Sequence, residues 1–341
     1  MPEGEQGMNV ARIATFLAGF PESVSAMTLN RFCSSGLQAI WHVCTNILAG
    51  SLDVAIAGGT ESMSMIPMGG NKIVPNLRLA EEYPDAYVSM GQTAENVAKR
   101  YEVTREEQDR FALLSHERAL AAIERGDFRH QIVPLKTFKY DGRGNRVEFT
   151  FDTDEGPRPS TLEALSKLPP AFANPATGGT VTAGNSSQMS DGAAALLLME
   201  RKRAEELGCR PLAKLHGFVT VGVDPAVMGI GPALAIPKLI ERVGKPLGVS
   251  LEDIDCCELN EAFASQAVYC IRELAKQGLD PKRVNPNGGA IALGHPLGAT
   301  GAKLATQLVY WLKEKKKRWG IVSMCVGGGM GAAGLFENLT L

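Results

Sequence analysis

A recurring unit constrains this chain more than any single residue does: a helix with one apolar stripe, a short apolar run, then a cluster of glycines. It first occurs where Leu37, Ile40, Cys44, Ile47 and Leu48 share one side of a helix ending at Gly50. The apolar run 53–57 follows and is cut off by Gly58 and Gly59. It recurs where Leu297, Gly301, Leu304, Leu308 and Leu312 form a stripe, and the run 321–326 is separated from 332–336 by GGGMG. Helices alternating with short apolar strands predict a layered α/β protein, and the repetition predicts two similar halves. A length of 341 residues suits about two domains. Residues 68–175 are richer in charge, Gly and Pro and read as an inserted subdomain. Within it, Thr104 and Glu107 form a capping box for a helix closed by Gly126, with Phe111, Leu114 and Ala122 on its inner side. Residues 140–154 read as a hairpin arm. A short helix over 9–19, strands over 26–32, 194–199, 213–223 and 254–259, and a helix carrying Phe263, Ala267, Cys270, Ile271 and Leu274 complete the reading.

Charge excludes some classes. Thirty-five basic residues against 37 acidic ones leave a net charge of -2, and the one basic run, 313–318, reads as the wet end of a helix, so nucleic acid is not an expected partner. No apolar run approaches the roughly 20 residues that span a bilayer. Seven cysteines at irregular spacing make a poor disulfide framework and point to a reducing, cytoplasmic compartment. With no CxxC, HExxH or paired carboxylates, no metal is expected. Neither a phosphate-binding Walker loop nor the dinucleotide fingerprint is present.

What remains is a small set of polar residues beside the glycines. Cys33, in RFCSSG, stands at an expected strand-to-helix junction, where free N–H groups favour a thiolate; a buried structural cysteine is an equal alternative. His295, in GGAIALGHPLGATG, has glycines on both sides and can activate a thiol, which outweighs an exposed loop histidine. Cys325 ends an apolar run before VGGGMG, whose N–H groups could cradle an oxyanion or merely turn the chain. Asn260 and Glu261 interrupt the apolar CCELNEAFASQ and require partners, with a helix cap the plain alternative for Asn260. Two thiols, an imidazole, an amide and glycine-rich turns suit acyl transfer through a thioester coupled to deprotonation of a carbon acid.

Those segments resemble the signature blocks of the thiolases: NRFCSSG, CELNEAFASQ, NPNGGAIALGHPLGATG and SMCVGGGMGAAGLFE, with VTAGNSSQMSDGAA and VGVDPAVMGIGP between them, in order along the chain. The resemblance implies an αβαβα fold of two five-stranded halves, with 1–67 and 176–200 in the first, 68–175 as the loop domain and 201–341 as the second. It implies Cys33 as acyl-carrying nucleophile, His295 as acceptor of its proton, and Cys325 as acid and base at the α-carbon. One oxyanion hole would use His295 and a water held by Asn260; the other, the N–H groups of Cys33 and Gly327. Met90, Ala262 and Phe263 would line the coenzyme A site. Coenzyme A thioesters would be substrates, with no tightly bound cofactor. A homodimer or homotetramer, and association with a multifunctional β-oxidation protein, are the implied partners.

Two details favour the degradative 3-ketoacyl-CoA thiolases over the acetyl-CoA acetyltransferases: Ser89-Met90-Gly91 where the latter carry a histidine before Met-Gly, and Gly217 where a serine of the coenzyme A site is often found. A ketoacyl-synthase type of condensing enzyme shares the layered fold, and the second thiol, Cys325, weighs against it. Family members usually begin some fifty residues earlier, so the N-terminal half is expected to be incomplete, and an inactive truncated homologue is the remaining alternative.

Overall fold

The computed structural model describes residues 4–174 and 178–341. The expected domain boundary at 175/176 lies outside the described residues. In chain order the elements are α1 (Val10–Leu17), a 3-10 turn (Phe32–Ser34), α2 (Ser35–Leu48), β1 (Val54–Ser62), α3 (Leu77–Glu82), α4 (Met90–Arg100), α5 (Arg105–Arg125), β2 (Leu135–Tyr140), β3 (Arg146–Phe151), α6 (Leu162–Ser166), β4 (Asp191–Met199), α7 (Arg201–Glu206), β5 (Ala213–Gly222), α8 (Gly231–Leu239), β6 (Cys256–Leu259), α9 (Ala264–Ala275), α10 (Ala290–Leu293), α11 (Leu297–Lys315), β7 (Trp319–Val326) and β8 (Met330–Asn338).

The layers follow from which faces are apolar. In the first half β1 pairs antiparallel with β4, from Val54↔Met199 to Ser62↔Asp191. In the second half four strands run in the order β5-β8-β7-β6, with β6 and β7 parallel and the other pairs antiparallel. Helices α2 and α11 lie between the two sheets, and α8 covers the far face of the four-stranded one. Leu37, Ile40, Ala57, Leu304, Leu308, Leu312, Val322 and Met324 fill one core across these layers, so a strand of either sheet and the two middle helices bury their stripes against one another. The outward side chains of the first sheet, Ile56 and Leu197, are exposed.

Glycines allow the middle layer to be this thin. A Cβ on Gly36 of α2 would lie 2.4 Å from the backbone nitrogen of Ala302, and one on Gly301 of α11 would lie 2.2 Å from that of Leu37. The two helices therefore cross in backbone contact near their N-termini. Gly59 touches the Gly298 carbonyl in the same way, which is why β1 runs through Gly58 and Gly59 instead of stopping before them.

Other expectations need correction. Residues 26–31 form no strand and Phe32 already belongs to the 3-10 turn; Asn9 Nδ2 donates to the Ala26 carbonyl and Ala11 N–H to Thr28 Oγ1, so side chains tie the segment to α1. Neither half has five strands among the described residues. In the second, Val284 makes one parallel bridge to Cys257, and Asn285 then turns into the left-handed region (φ 47°), which ends the pairing.

Residues 68–174 match the sequence reading in part, and the hairpin lies further toward the N-terminus than the expected 140–154. The Thr104–Glu107 capping box starts α5, and Gly126 closes it in the left-handed conformation. Ala122 is buried there and Phe111 partly so, while Leu114 is exposed, so the inner side is narrower than expected. The hairpin is β2–β3, paired from Leu135↔Phe151 to Tyr140↔Arg146. Helix α4 packs beside 225–230 and α9, and α5 packs on α9 and α10, which brings Met90 and Ser115 to the second half.

Candidate active site

Cys33 stands in the 3-10 turn that feeds α2, buried, with the helix N-terminus ahead of it. The residue before it, Phe32, has φ 44°, a conformation that a bulky side chain adopts only under constraint. The constraint is visible: Asn30 Oδ1 accepts from Phe32 N–H at 2.8 Å, Arg31 N–H donates to Ser35 Oγ at 2.9 Å, and that hydroxyl donates back to the Phe32 carbonyl at 2.8 Å. Burial pushes the Cys33 thiol up to about 11, against the lowering pull of the Gly327 and Cys33 N–H groups, so the sulfur rests protonated with two donors ready for a thiolate.

Gly327 directly follows the buried strand β7, whose penultimate residue, Cys325, lies opposite Gly331. Gly328 and Gly329, with φ 77° and 83°, turn the chain into β8. Burial first, then the neighbouring Cys33 and Cys270, raise the Cys325 thiol well above its ordinary value. Cys325 shares an apolar cluster with Ala262, Phe263, Ala94, Val181 and Met228, and Met90 packs against it. The Met90 sulfur also borders the space beside Gly327. The two thiols, Gly327, Met90, Ala262 and Phe263 are thus one neighbourhood.

His295 and Asn260 form a second group. Asn260 Nδ2 lies 3.2 Å from His295 Nε2, and Thr300 Oγ1 lies 2.5 Å from His295 Nδ1. Burial, with Lys303 adding to it, lowers the imidazole to about 3, so it is neutral. Asn260 Oδ1 is buried and has no hydrogen-bond partner. Asn260 is not a helix cap, because Phe263 occupies the N-cap of α9. The two groups adjoin because Asn260 leads directly into Ala262 and Phe263, and because α2 and α11, which follow Cys33 and His295, cross at Gly36 and Gly301.

Glu261, flagged in the sequence with Asn260, is a buried clamp. Its carboxylate accepts from Ser115 Oγ at 2.6 Å, Asn285 Nδ2 at 2.7 Å and Ile291 N–H at 3.2 Å, joining α5, the segment at Val284–Asn285 beside β6, and α10. A Cβ on Gly289 would strike this carboxylate. Gly217 sits at a bulge in β5, where a Cβ would lie 2.6 Å from Val243. Sequence reasoning missed Phe32 and Thr300; for Thr300 the available signal was a hydroxyl four residues after Pro296, the spacing of a back-bond to a carbonyl. Among the described residues no cluster of three or more His, Cys, Asp or Glu could hold a metal, and no helix is long and apolar enough to cross a membrane.

Comparison with known proteins agrees with this geometry. The thiolase N-terminal domain matches residues 1–202 and the thiolase C-terminal domain residues 209–338. The chain is 53% identical to a 3-ketoacyl-CoA thiolase of Bacillus subtilis, over 98% of this chain and 85% of that one. It is 51% identical to the peroxisomal 3-ketoacyl-CoA thiolase A of Mus musculus, over 97% and 76%. Its structure resembles the dimeric peroxisomal thiolase of Saccharomyces cerevisiae with a TM-score of 0.83 at 42% identity, covering 96% of this chain and 80% of that one. For a Bacillus anthracis acetyl-CoA acetyltransferase the values are 0.85 and 42%, covering 98% and 84%. These matches overturn the expectation of an incomplete N-terminal half: the N-terminal domain is matched from residue 1, and the thiolase αβαβα fold of two halves is matched over nearly the whole chain. With both domains matched and relatives at half identity, the chain belongs to the thiolase family.

Proposed function

We propose that the chain catalyses thiolytic cleavage of 3-ketoacyl-CoA to acetyl-CoA and a shortened acyl-CoA, with the acyl group carried on Cys33. Relatives of that name at 49 to 53% identity support the reaction. The observation that carries the site reading is the meeting of two thiols, Cys33 and Cys325, beside the Gly327 N–H, with the Asn260–His295 pair next to them.

The steps follow from the resting charges. Cys33 is a thiol and His295 a neutral imidazole, so attack on the 3-keto carbon and proton transfer from sulfur to Nε2 proceed together. The negative charge then passes to the substrate oxygen and is not stored on sulfur. The Cys33 and Gly327 N–H groups receive that oxyanion. As it collapses, the C2–C3 bond breaks, the acyl group stays on Cys33, and acetyl-CoA leaves as its enolate. The enolate oxygen sits toward protonated His295 and a water held on Asn260 Oδ1, and Cys325 gives the α-carbon its proton. The thiol of free coenzyme A then passes its proton to the Cys325 thiolate as it attacks the thioester, the Cys33 sulfur leaves and regains the proton held on His295, and condensation is the same sequence reversed. Met90, Ala262 and Phe263 wall the approach, with residues 68–175 as the loop domain that supplies Met90.

Coenzyme A enters as substrate, not as a resident cofactor. A homodimer is the working form this reading favours, supported by the dimeric yeast relative; a homotetramer, or docking to a multifunctional β-oxidation protein, would build on it. Seven cysteines without a disulfide among them suit a reducing compartment, which supports a cytoplasmic location. Steady-state cleavage of a ladder of 3-ketoacyl-CoA chain lengths tests the substrate class. Turnover well beyond acetoacetyl-CoA is expected. Activity confined to acetoacetyl-CoA would assign the chain to acetyl-CoA acetyltransferases, like its Bacillus anthracis structural neighbour.

A further inference from the structure

The polar contacts of His295 run in one direction. Thr300 Oγ1 touches two atoms: His295 Nδ1 at 2.5 Å and the Pro296 carbonyl at 3.0 Å. A hydroxyl has one proton. If it goes to the carbonyl, the contact with Nδ1 requires an N–H there, and Nε2 is left bare. The other side of the ring agrees, since Asn260 presents Nδ2 to Nε2 at 3.2 Å, a donor facing an acceptor. The proton order is Asn260 Nδ2–H to His295 Nε2, His295 Nδ1–H to Thr300 Oγ1, and Thr300 O–H to the Pro296 carbonyl.

The opposite order is worse on counting. It turns the Asn260 amide so that Oδ1 accepts from Nε2–H, and it spends the Thr300 proton on Nδ1. Two amide protons of Asn260 would then face the space where one acceptor, Oδ1, now goes unpartnered, and the Thr300–Pro296 contact would hold no proton. Residues 260, 295 and 300 are all buried, so water does not restore those bonds cheaply.

We infer that Thr300 is a positioning residue that holds His295 in the Nδ1–H tautomer, so that Nε2 carries no proton and stays an acceptor, held at rest by Asn260 Nδ2–H and released from it when it takes the proton of Cys33. The inference deepens the proposed reaction and rests on His295 being the base there. It gives one nitrogen two successive duties. Nε2 accepts the thiol proton, and the N–H so formed is the donor that later faces the enolate oxygen. A resting Nε2–H tautomer could donate to an oxyanion but could not accept the thiol proton.

Ring-15N-histidine labelling of the resting enzyme reads the tautomer directly through two-bond nitrogen–proton correlations, with His295 assigned by the signal lost in His295→Gln. The expected pattern is protonated Nδ1 and bare Nε2. In Thr300→Val the Nδ1–H preference is lost, and kcat/KM for acyl transfer falls about tenfold to a hundredfold with little change in KM. Thr300→Ser restores both signal and rate. An Nε2–H signal in the wild-type enzyme overturns the inference. So does a Thr300→Val enzyme with the Nδ1–H signal and full kcat/KM. The wild-type spectrum and Thr300→Ser serve if Thr300→Val does not fold. If the tautomer depends on Thr300 yet His295→Gln acylates Cys33 at the normal rate, the base assignment fails while the positioning role stands.

Discussion

Replacing Gly36 with alanine tests whether the helix crossing sets the site geometry. The new Cβ would lie 2.4 Å from the Ala302 nitrogen, 3.1 Å from the Ala302 Cβ and 3.2 Å from the Gly298 carbonyl oxygen. Comfortable contact needs more, so α2 and α11 must part by about 1 Å. Overpacking of this kind costs about 1–3 kcal/mol, because the neighbours are helix backbone and not the ends of flexible side chains. The functional cost comes separately. Cys33 stands two residues before α2 and His295 two residues before α11, so parting the helices separates the thiol from the imidazole, and a misplacement of about 1 Å can cost about 10² in rate. Denaturant unfolding would read the first effect and single-turnover acylation of Cys33 the second. Gly142→Ala is the control, since nothing lies within 4 Å of a Cβ there; its stability should stay within about 0.5 kcal/mol of wild type. A Gly36→Ala enzyme as stable and as fast as the control would refute the reasoning.

The resting charges give a pH prediction with a definite sign. Burial raises the Cys33 thiol to about 11, so near pH 8 only about 10⁻³ of it is thiolate, and iodoacetamide labelling of Cys33, followed on its own peptide, should rise about tenfold per pH step from 7 to 10. Over the same range kcat/KM for acylation should stay flat, because His295 is already neutral above about 3 and Cys33 keeps its proton below about 11. Fast, pH-independent labelling from pH 6 upward would mean a preformed thiolate–imidazolium pair and would contradict the concerted transfer proposed above.

How much was legible in the sequence differs by kind of feature. The helical stripes of α2 and α11 were legible because a period of 3.6 residues is local and most of both stripes is buried; Leu48, at the end of α2, is the exception and is exposed. The capping box of α5 was equally local. The ends of β1 were misread because Gly58 and Gly59 look like breakers, whereas their meaning is the approach of Gly298, far away in sequence. The strand over 26–32 was misread because strand propensity says nothing about whether a partner strand exists. At the site, Cys33, His295, Cys325 and Asn260 stood out as polar residues set among glycines and apolar runs. Phe32 did not, since a left-handed phenylalanine leaves no trace in composition. Thr300 looked like an ordinary helix residue until the ring of His295 was seen against it. Glu261 was visible as a charge in an apolar run, but its partners Ser115, Asn285 and Ile291 come from three separate segments.

The division of labour between the two thiols is the central claim, and peptide mass spectrometry after mixing with acetyl-CoA, with α-proton exchange followed in deuterium oxide, tests it most directly. The wild-type enzyme should carry the acyl group on Cys33. Cys33→Ala should carry none, while Cys325→Ala should still acylate at Cys33 and lose about 10²–10⁴ in α-proton exchange. Acyl label on Cys325 with Cys33 unmodified, or normal exchange in Cys325→Ala, would contradict the account.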